Sequence, residues 1–184
     1  MVGHGFGGYE RALRSLLSGD AASVRSYARS LPPPARPGFE RLIAEPFLVV
    51  RAAGSFGFDL VALRREFAFP IEVKASSDDV IRFTAASGRA SEQLEAHRAA
   101  VARVGLMVIY AYRRLGLRGE ECWRLFLEGT RPKGAISGYV FQTVPLVSRT
   151  KEGNGILRWG EGMPLSQFVE RIHSVLQPTY GAVG

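Results

Sequence analysis

The chain lacks the residues on which several common kinds of functional site depend. Its one cysteine, Cys122, excludes an intrachain disulfide and is expected to be a buried structural thiol, and its three histidines have no zinc-binding spacing. No P-loop is present, and no nucleophile elbow surrounds Ser55 or Ser76. His97 is expected at a surface or facing DNA. Without an apolar run of ~20 residues or a signal-peptide pattern, we expect an intracellular protein with no membrane partner.

Lysine is scarce, yet the chain is basic. Only three lysines accompany 21 arginines, and the formal net charge is +7. Such a charge favours a polyanionic partner. Seven arginines either line a path for DNA or form an ordinary solvated face, and the sequence supports both interpretations equally. They are Arg64, Arg65, Arg82, Arg89, Arg113, Arg114 and Arg118.

The most informative stretch is a pair of predicted strands that carries two acids and a lysine. Glu72 and Lys74 lie two residues apart on the second strand, so alternation puts both side chains on one face. A hairpin through residues 64–66 would bring Asp59 beside Glu72. Two carboxylates suit a divalent cation, and a neighbouring lysine suits hydrolysis of a phosphodiester. An exposed Glu–Lys pair is the alternative; the rarity of lysine and the apolar surroundings of Asp59 favour the site.

Periodicity and turn residues predict one α/β domain with a central mixed β-sheet flanked by helices. The predicted helices are residues 9–17, 20–31, 39–45, 91–104 with Ser91 as N-cap, and a last one that opens at Pro164. The predicted strands are residues 47–52, 57–64, 67–75, 80–83, 106–112, 123–127 and 139–144. Residues 148–162 are predicted to form a loop.

Several segments together resemble the archaeal-type Holliday-junction resolvases. These belong to the PD-(D/E)-x-K nuclease superfamily, whose fold has a restriction-endonuclease-like core. The resemblance extends from residue 5 to about residue 128. It is carried by Val49–Ser55, Asp59–Ala62, Ile71–Ser76, Glu10 with the following arginine, and Gln93.

The resemblance implies a Mg²⁺-dependent endodeoxyribonuclease, with Mn²⁺ as a substitute metal, that resolves four-way DNA junctions. It implies a symmetric homodimer, because a junction needs two matched cuts. Asp59 and Glu72 would hold the metal, with the backbone carbonyl of Val73 as a further ligand. Glu10 would complete this site or bind a second ion.

The resemblance also implies roles for three polar side chains near the metal. Lys74 would orient or help to deprotonate the attacking water and stabilise charge on the phosphate. Ser55 would lie in a loop near the scissile phosphate. Gln93 would position the lysine or the water.

The chain departs from the family pattern at two places. Phe58 stands where the superfamily has a proline, and an insertion of about 18–46 separates the first helix from the first core strand. Because this insertion separates Glu10 from the strands, Glu40 is a rival for the helical acid, and the better amphipathic pattern of the first helix favours Glu10. Two alternative functions stay open. One is a related nuclease that acts on flaps or mismatches, and the other is a DNA-binding relative with an inert nuclease core.

Overall fold

The computed structural model describes residues 7–52, 57–83 and 89–176. Within these ranges, no helix has the length and apolar composition needed to cross a bilayer. The helices are α1 (Gly7–Leu17), α2 (Ala21–Ala28), α3 (Arg36–Glu40), α4 (Arg89–Val104), α5 (Ala135–Thr143) and α6 (Leu165–Val175). The strands are β1 (Leu48–Arg51), β2 (Leu60–Arg64), β3 (Phe67–Ser76), β4 (Val80–Phe83), β5 (Ile109–Arg114), β6 (Trp123–Leu127), β7 (Ser148–Arg149), β8 (Gly155–Arg158) and β9 (Met163–Pro164).

The strands form a six-stranded mixed sheet and a separate three-stranded sheet. The order in the large sheet is β1-β2-β3-β5-β6-β9. Its β3 and β5 are parallel, and its other neighbours are antiparallel. Parallel strands need a long crossover connection, and α4 lies in the one that joins β3 to β5. The prediction of a central mixed sheet flanked by helices is confirmed.

Each face of the large sheet buries its own apolar core. On one face, Leu13 of α1 and Phe168 of α6 pack in the same cluster as Ile71. On the other face, Leu94 of α4 packs with Tyr110 of β5. Burying each such side chain stabilises the fold by roughly 1.5–3 kcal/mol. Four aromatic side chains of β5 and β6 are buried in these cores: Tyr110, Tyr112, Trp123 and Phe126.

The predicted hairpin of β2 and β3 is confirmed, and the two strands have unequal lengths. The pairing runs from the turn at Arg65 and Glu66 to Leu60 opposite Ile71, and Arg65 adopts a φ of 54°. Strand β2 has five residues and β3 has ten, so β3 continues alongside β5 as far as Ser76. The end of β3 therefore has one edge that β2 does not cover.

The segment 18–46, which is predicted to be an insertion, folds against the core. Its Val24, Phe39 and Leu42 are fully buried, and α3 packs against α6. The predicted helix 20–31 ends earlier, at Ala28, where i→i+3 bonds from Ser30 N–H to the Tyr27 carbonyl and from Leu31 N–H to the Ala28 carbonyl replace the α-helical pattern. The predicted piece 39–45 is divided between α3 and a 3-10 turn at Arg41–Ile43.

Several local predictions are wrong. Residues 139–144 lie largely in α5, where the buried Ser137 and Val140 have the three-residue spacing of one helix face. Residues 148–162 are not a loop, because β7 and β8 pair with each other and β8 pairs with β4. Helix α4 begins at Arg89, so Ser91 is not its N-cap. Cys122 is only half-buried, since it precedes β6 at the sheet's end.

Candidate active site

The uncovered end of β3 brings the two predicted carboxylates together. The Asp59 backbone N–H donates to the carbonyl of Ile71 at 3.0 Å, which extends the hairpin pairing by one residue. The Val73 N–H then donates to Oδ2 of Asp59 at 2.7 Å. The N–H and C=O of one strand residue face the same neighbour, so the Val73 carbonyl also lies on the Asp59 side of β3.

Glu72, Lys74 and Gln93 form a hydrogen-bonded cluster beside Asp59. Lys74 Nζ donates to Oε1 of Glu72 at 2.7 Å and to Oε1 of Gln93 at 3.1 Å. Gln93 Nε2 donates to the same Oε1 of Glu72 at 2.9 Å. The prediction that Glu72 and Lys74 share a face is confirmed. Gln93 bridges the acid and the lysine, so it fixes the distance between them.

The second carboxylate oxygen of Glu72, Oε2, is buried but unpaired among the described residues. Glu72 is 4% exposed, and among the described residues its buried Oε2 has no hydrogen-bond partner. Burial raises the pKa of Glu72 to about 7; Lys74 lowers this pKa and the Asp59 carboxylate raises it. A buried carboxylate oxygen without a hydrogen-bond partner lowers the stability of the protein when no metal is bound. A bound cation would remove that cost.

Two side chains of α4 hold the segment that leads into Asp59 by hydrogen bonds to its backbone. The Gly57 carbonyl accepts hydrogen bonds from Gln93 Nε2 at 3.2 Å and from His97 Nε2 at 2.9 Å. Because Nε2 of His97 must carry the proton, neutral Nδ1 accepts from the Tyr110 hydroxyl at 2.9 Å. The prediction that His97 lies at a surface is wrong, since it is 0% exposed.

His97 is a part of the site that the sequence pattern does not reveal. Residues four apart on a helix project from the same face, so His97 has the spacing to follow Gln93 into the site. Burial lowers the pKa of His97, in keeping with a neutral ring. A glycine suits position 57, where φ is +75° and a Cβ would come within 3.1 Å of His97 Nε2.

The structure separates the two candidate helical acids by position. Glu10 on α1 lines a cavity of about 380 Å³ together with Asp59, Glu72 and Lys74. Glu40 is exposed on α3 and does not line that cavity. Arg51 Nη2 lies 3.6 Å from Oε2 of Glu10, which ties the start of α1 to the end of β1. Ser55, the remaining candidate, lies outside the described residues.

The donor set fits a hard divalent cation. Among the described residues, no group of three or more histidine, cysteine, aspartate and glutamate side chains is placed to hold a metal. The fit therefore depends on Asp59, the bare Oε2 of Glu72 and the carbonyl of Val73, with water as further ligands. Such oxygen ligands, with one or two carboxylates and several waters, are typical of Mg²⁺.

Several arginines lie next to residues that line the cavity. Arg11, Arg14 and Arg51 are exposed and line a smaller cavity beside Glu10. Arg113 on β5 lies opposite Ala75 of β3, which lines the cavity, and its guanidinium is 5.0 Å from the ring centre of Tyr9. Arg64 is not part of any DNA path, because it is buried and pairs with Glu45 and His173. The side chain of Arg89 lies outside the described part of the chain.

Comparison with known proteins gives a structural likeness and no match by sequence. No protein-family model matches the sequence, and no curated protein matches it. The solved structures include a similar one, that of Hjc, a Holliday junction resolvase from the archaeal hyperthermophile Archaeoglobus fulgidus. The identity is 18% and the TM-score 0.45, over 73% of this chain and 90% of Hjc. A likeness this distant assigns neither family nor function.

Proposed function

We propose that this protein is a metal-dependent endodeoxyribonuclease that cuts branched DNA, including four-way (Holliday) junctions. The observation that carries the proposal is the carboxyl group of Glu72. One oxygen is held by Lys74 and Gln93, while the other is buried and has no hydrogen-bond partner among the described residues, and Asp59 lines the same cavity as Glu72. An acid pair with an adjacent lysine fits phosphodiester hydrolysis better than it fits a structural ion pair. Such a role would place the protein inside the cell.

Asp59, Glu72 and the Val73 carbonyl would hold Mg²⁺, or Mn²⁺ in its place. When bound, the ion would neutralise the phosphate and lower the pKa of a bound water. Lys74 Nζ would stabilise the charge that develops on the phosphate oxygens. Gln93 would keep Lys74 at its position. Glu10 faces the same cavity and would orient a water or complete the coordination through one.

The charge of the protein supports DNA as the substrate. The chain carries a formal charge of +7, and exposed Arg11, Arg14 and Arg51 flank the carboxylates. Such side chains neutralise phosphates and release counterions whatever the base sequence. We therefore expect binding that weakens steeply with salt and shows little sequence preference.

A symmetric homodimer is part of the proposal for four-way junctions. A junction has two equivalent strands to cut, and a two-fold dimer presents two equivalent sites. Sedimentation of the free protein and of its complex with a junction tests this. A monomer in both samples would contradict paired cleavage while leaving single cuts in branched DNA in place.

The decisive experiment is a cleavage assay on a panel of DNA substrates. With Mg²⁺, wild type should cut branched DNA, and Asp59→Asn, Glu72→Gln and Lys74→Ala should be inactive. The two acid variants should still bind DNA, because they lose metal ligands and not phosphate contacts. Added Mg²⁺ should not restore Lys74→Ala. Glu40→Gln, a matched exposed acid, is the control and should cut normally.

Two outcomes would contradict the proposal. Near-normal cleavage by Asp59→Asn would remove the metal site from the reaction. Binding of DNA by wild type without any cleavage would favour an inert DNA-binding relative instead. Comparison of four-way junction, flap, splayed-arm and plain duplex DNA then separates the resolvase from a nuclease for other branched DNA.

A further inference from the structure

We call the cavity of about 380 Å³ at the candidate active site the catalytic cavity. A second cleft starts beside it and runs between the amino-terminal helices and the β5–β6 connection. We call it the side cleft; α1 and α2 form one wall and residues 115–122 form the other. It consists of two cavities of about 1060 and 520 Å³. The cavities adjoin, since five lining residues are common to both: Ala12, Ser23, Arg113, Leu117 and Cys122.

The side cleft is continuous with the candidate active site. Tyr9 lines both the catalytic cavity and the larger cavity of the side cleft. Arg113 stands opposite Ala75 on the parallel strand, one residue beyond Lys74. A DNA strand that leaves the catalytic cavity along this edge of the sheet therefore meets the side cleft next.

The entrance of the side cleft is basic. Arg11, Arg113 and Arg118 line it, and Arg114 also lines it while paired with Asp79. The Arg113 guanidinium lies 5.0 Å from the ring centre of Tyr9 and 5.5 Å from that of Trp123. These contacts hold the cation in place before any phosphate arrives.

The far end of the cleft is nearly neutral. Among its described lining residues, Glu120 is the acidic one and is exposed. Arg113 lines this end of the cleft as well, and its positive charge offsets that of Glu120. The attraction for phosphate is therefore strongest beside the catalytic cavity.

The rest of the lining suits an unpaired strand better than a duplex. Leu115, Leu117 and Cys122 give the cleft an apolar side, and Ser15 and Ser26 add hydroxyl groups. Single strands expose apolar base faces as well as phosphates, and proteins bind them in basic grooves with apolar platforms.

We propose that the side cleft binds an unpaired DNA strand that leaves a duplex beside the catalytic cavity. This inference rests on the proposed nuclease function and names its substrate class more narrowly. Helix α2, one wall of the side cleft, lies within the predicted insertion at 18–46. This segment therefore contributes to the choice between DNA with an unpaired strand and fully paired DNA. The protein then cuts flap and splayed-arm DNA faster than a fully paired four-way junction.

Binding without metal tests the cleft separately from cleavage. Fluorescence anisotropy with labelled oligo(dT), and with a duplex of equal length, is measured in EDTA across a salt series. Arg118→Gln removes a cation at the cleft, and its log–log salt slope for oligo(dT) should be smaller by about 0.7. Arg103→Gln removes an exposed arginine from α4, which packs on the face of the sheet opposite to α1, and should leave the slope unchanged.

A second pair of variants fills the cleft or a distant surface. Ser26→Trp should weaken oligo(dT) binding by about tenfold, because the indole takes the volume of one base, while duplex binding stays unchanged. Ser174→Trp adds the same side chain at an exposed position of α6 and should have no effect. Thermal unfolding of both variants verifies that each is folded.

The outcomes separate this inference from the proposed function. Equal salt slopes for Arg118→Gln and Arg103→Gln, or unchanged oligo(dT) binding by folded Ser26→Trp, would overturn the inference even if wild type cuts DNA. Faster cutting of a four-way junction than of a flap would also overturn it. Absence of cleavage with normal cleft-dependent binding would instead reject the nuclease function.

Discussion

Replacing Glu72 by glutamine should stabilise the metal-free protein at alkaline pH, although the substitution removes a residue of the proposed active site. Burial raises the pKa of this carboxyl group to about 7, against an ordinary value of 4.5. An acid whose pKa is higher in the folded chain destabilises the fold when it ionises. The stability contributed by protonated Glu72 is thus complete below pH 4.5 and is lost as the pH rises through about 7.

The size of the effect follows from the difference between the pKa of Glu72 in the folded protein and its ordinary value. Each unit of pKa difference corresponds to about 1.4 kcal/mol, so ionisation of Glu72 removes about 3 kcal/mol of folding free energy. For a chain of this length, that is a change in melting temperature of about 6–12 °C. Glutamine does not ionise and keeps an oxygen that accepts from Lys74 Nζ.

Urea unfolding in EDTA, at about pH 5 and about pH 8, measures the effect. The quantity to compare is how much the stability difference between Glu72→Gln and wild type grows from the lower to the higher pH. Effects of the substitution that do not depend on pH cancel in this comparison. Glu40→Gln, on the exposed surface of α3, is the control and should show no such growth.

Addition of Mg²⁺ at the higher pH should then stabilise wild type and leave Glu72→Gln nearly unchanged, because only wild type keeps both carboxylates. A variant that gains no stability over wild type between the two pH values would refute the argument from burial. Equal stabilisation of the two proteins by Mg²⁺ would remove Glu72 from the metal site.

Three further substitutions test other parts of the structure. Glu10→Gln should lose most cleavage activity and Glu40→Gln little, in a single-turnover assay; the reverse would place the helical acid on α3. His97→Leu leaves the Tyr110 hydroxyl and the Gly57 carbonyl without this partner and should lower the free energy of unfolding by about 1–3 kcal/mol; unchanged stability in urea would show that water replaces the ring. Burial and nearby arginines lower the pKa of His173 to about 4, so its contribution to stability is present above pH 6.5 and is lost as the pH falls through about 4. His173→Leu should therefore reduce the acid sensitivity of unfolding by about 3 kcal/mol, and an unchanged pH profile would contradict this.

The hairpin and its acids were predictable because the signal is local. Alternation over a few residues determines the face of Glu72 and Lys74, and a short connection determines that β2 and β3 pair. No distant contact is needed for either inference. The position of Asp59 follows from the same pairing.

The errors arise where tertiary contacts decide between local alternatives. Tyr139 and Val140 favour strands by propensity, yet they belong to α5, whose Val140 is buried in the core. Strand β8 pairs with β4, far away in sequence, and no local pattern specifies that partner. His97 is informative only once Gly57 and Tyr110 are placed beside it. The distance between Glu10 and the carboxylates likewise depends on how α1 packs across the sheet.

The parallel pairing of β3 with β5 makes the large sheet form in successive steps. Hairpin β2–β3 closes over a two-residue turn, whereas β3 meets β5 only after the connection containing α4 has closed a long loop. Until that happens, Glu72 is in water and Gln93 is far from it. The closure of α4 is thus the step that dehydrates the carboxyl group, and we expect its rate, rather than that of hairpin formation, to slow as the pH rises towards 7.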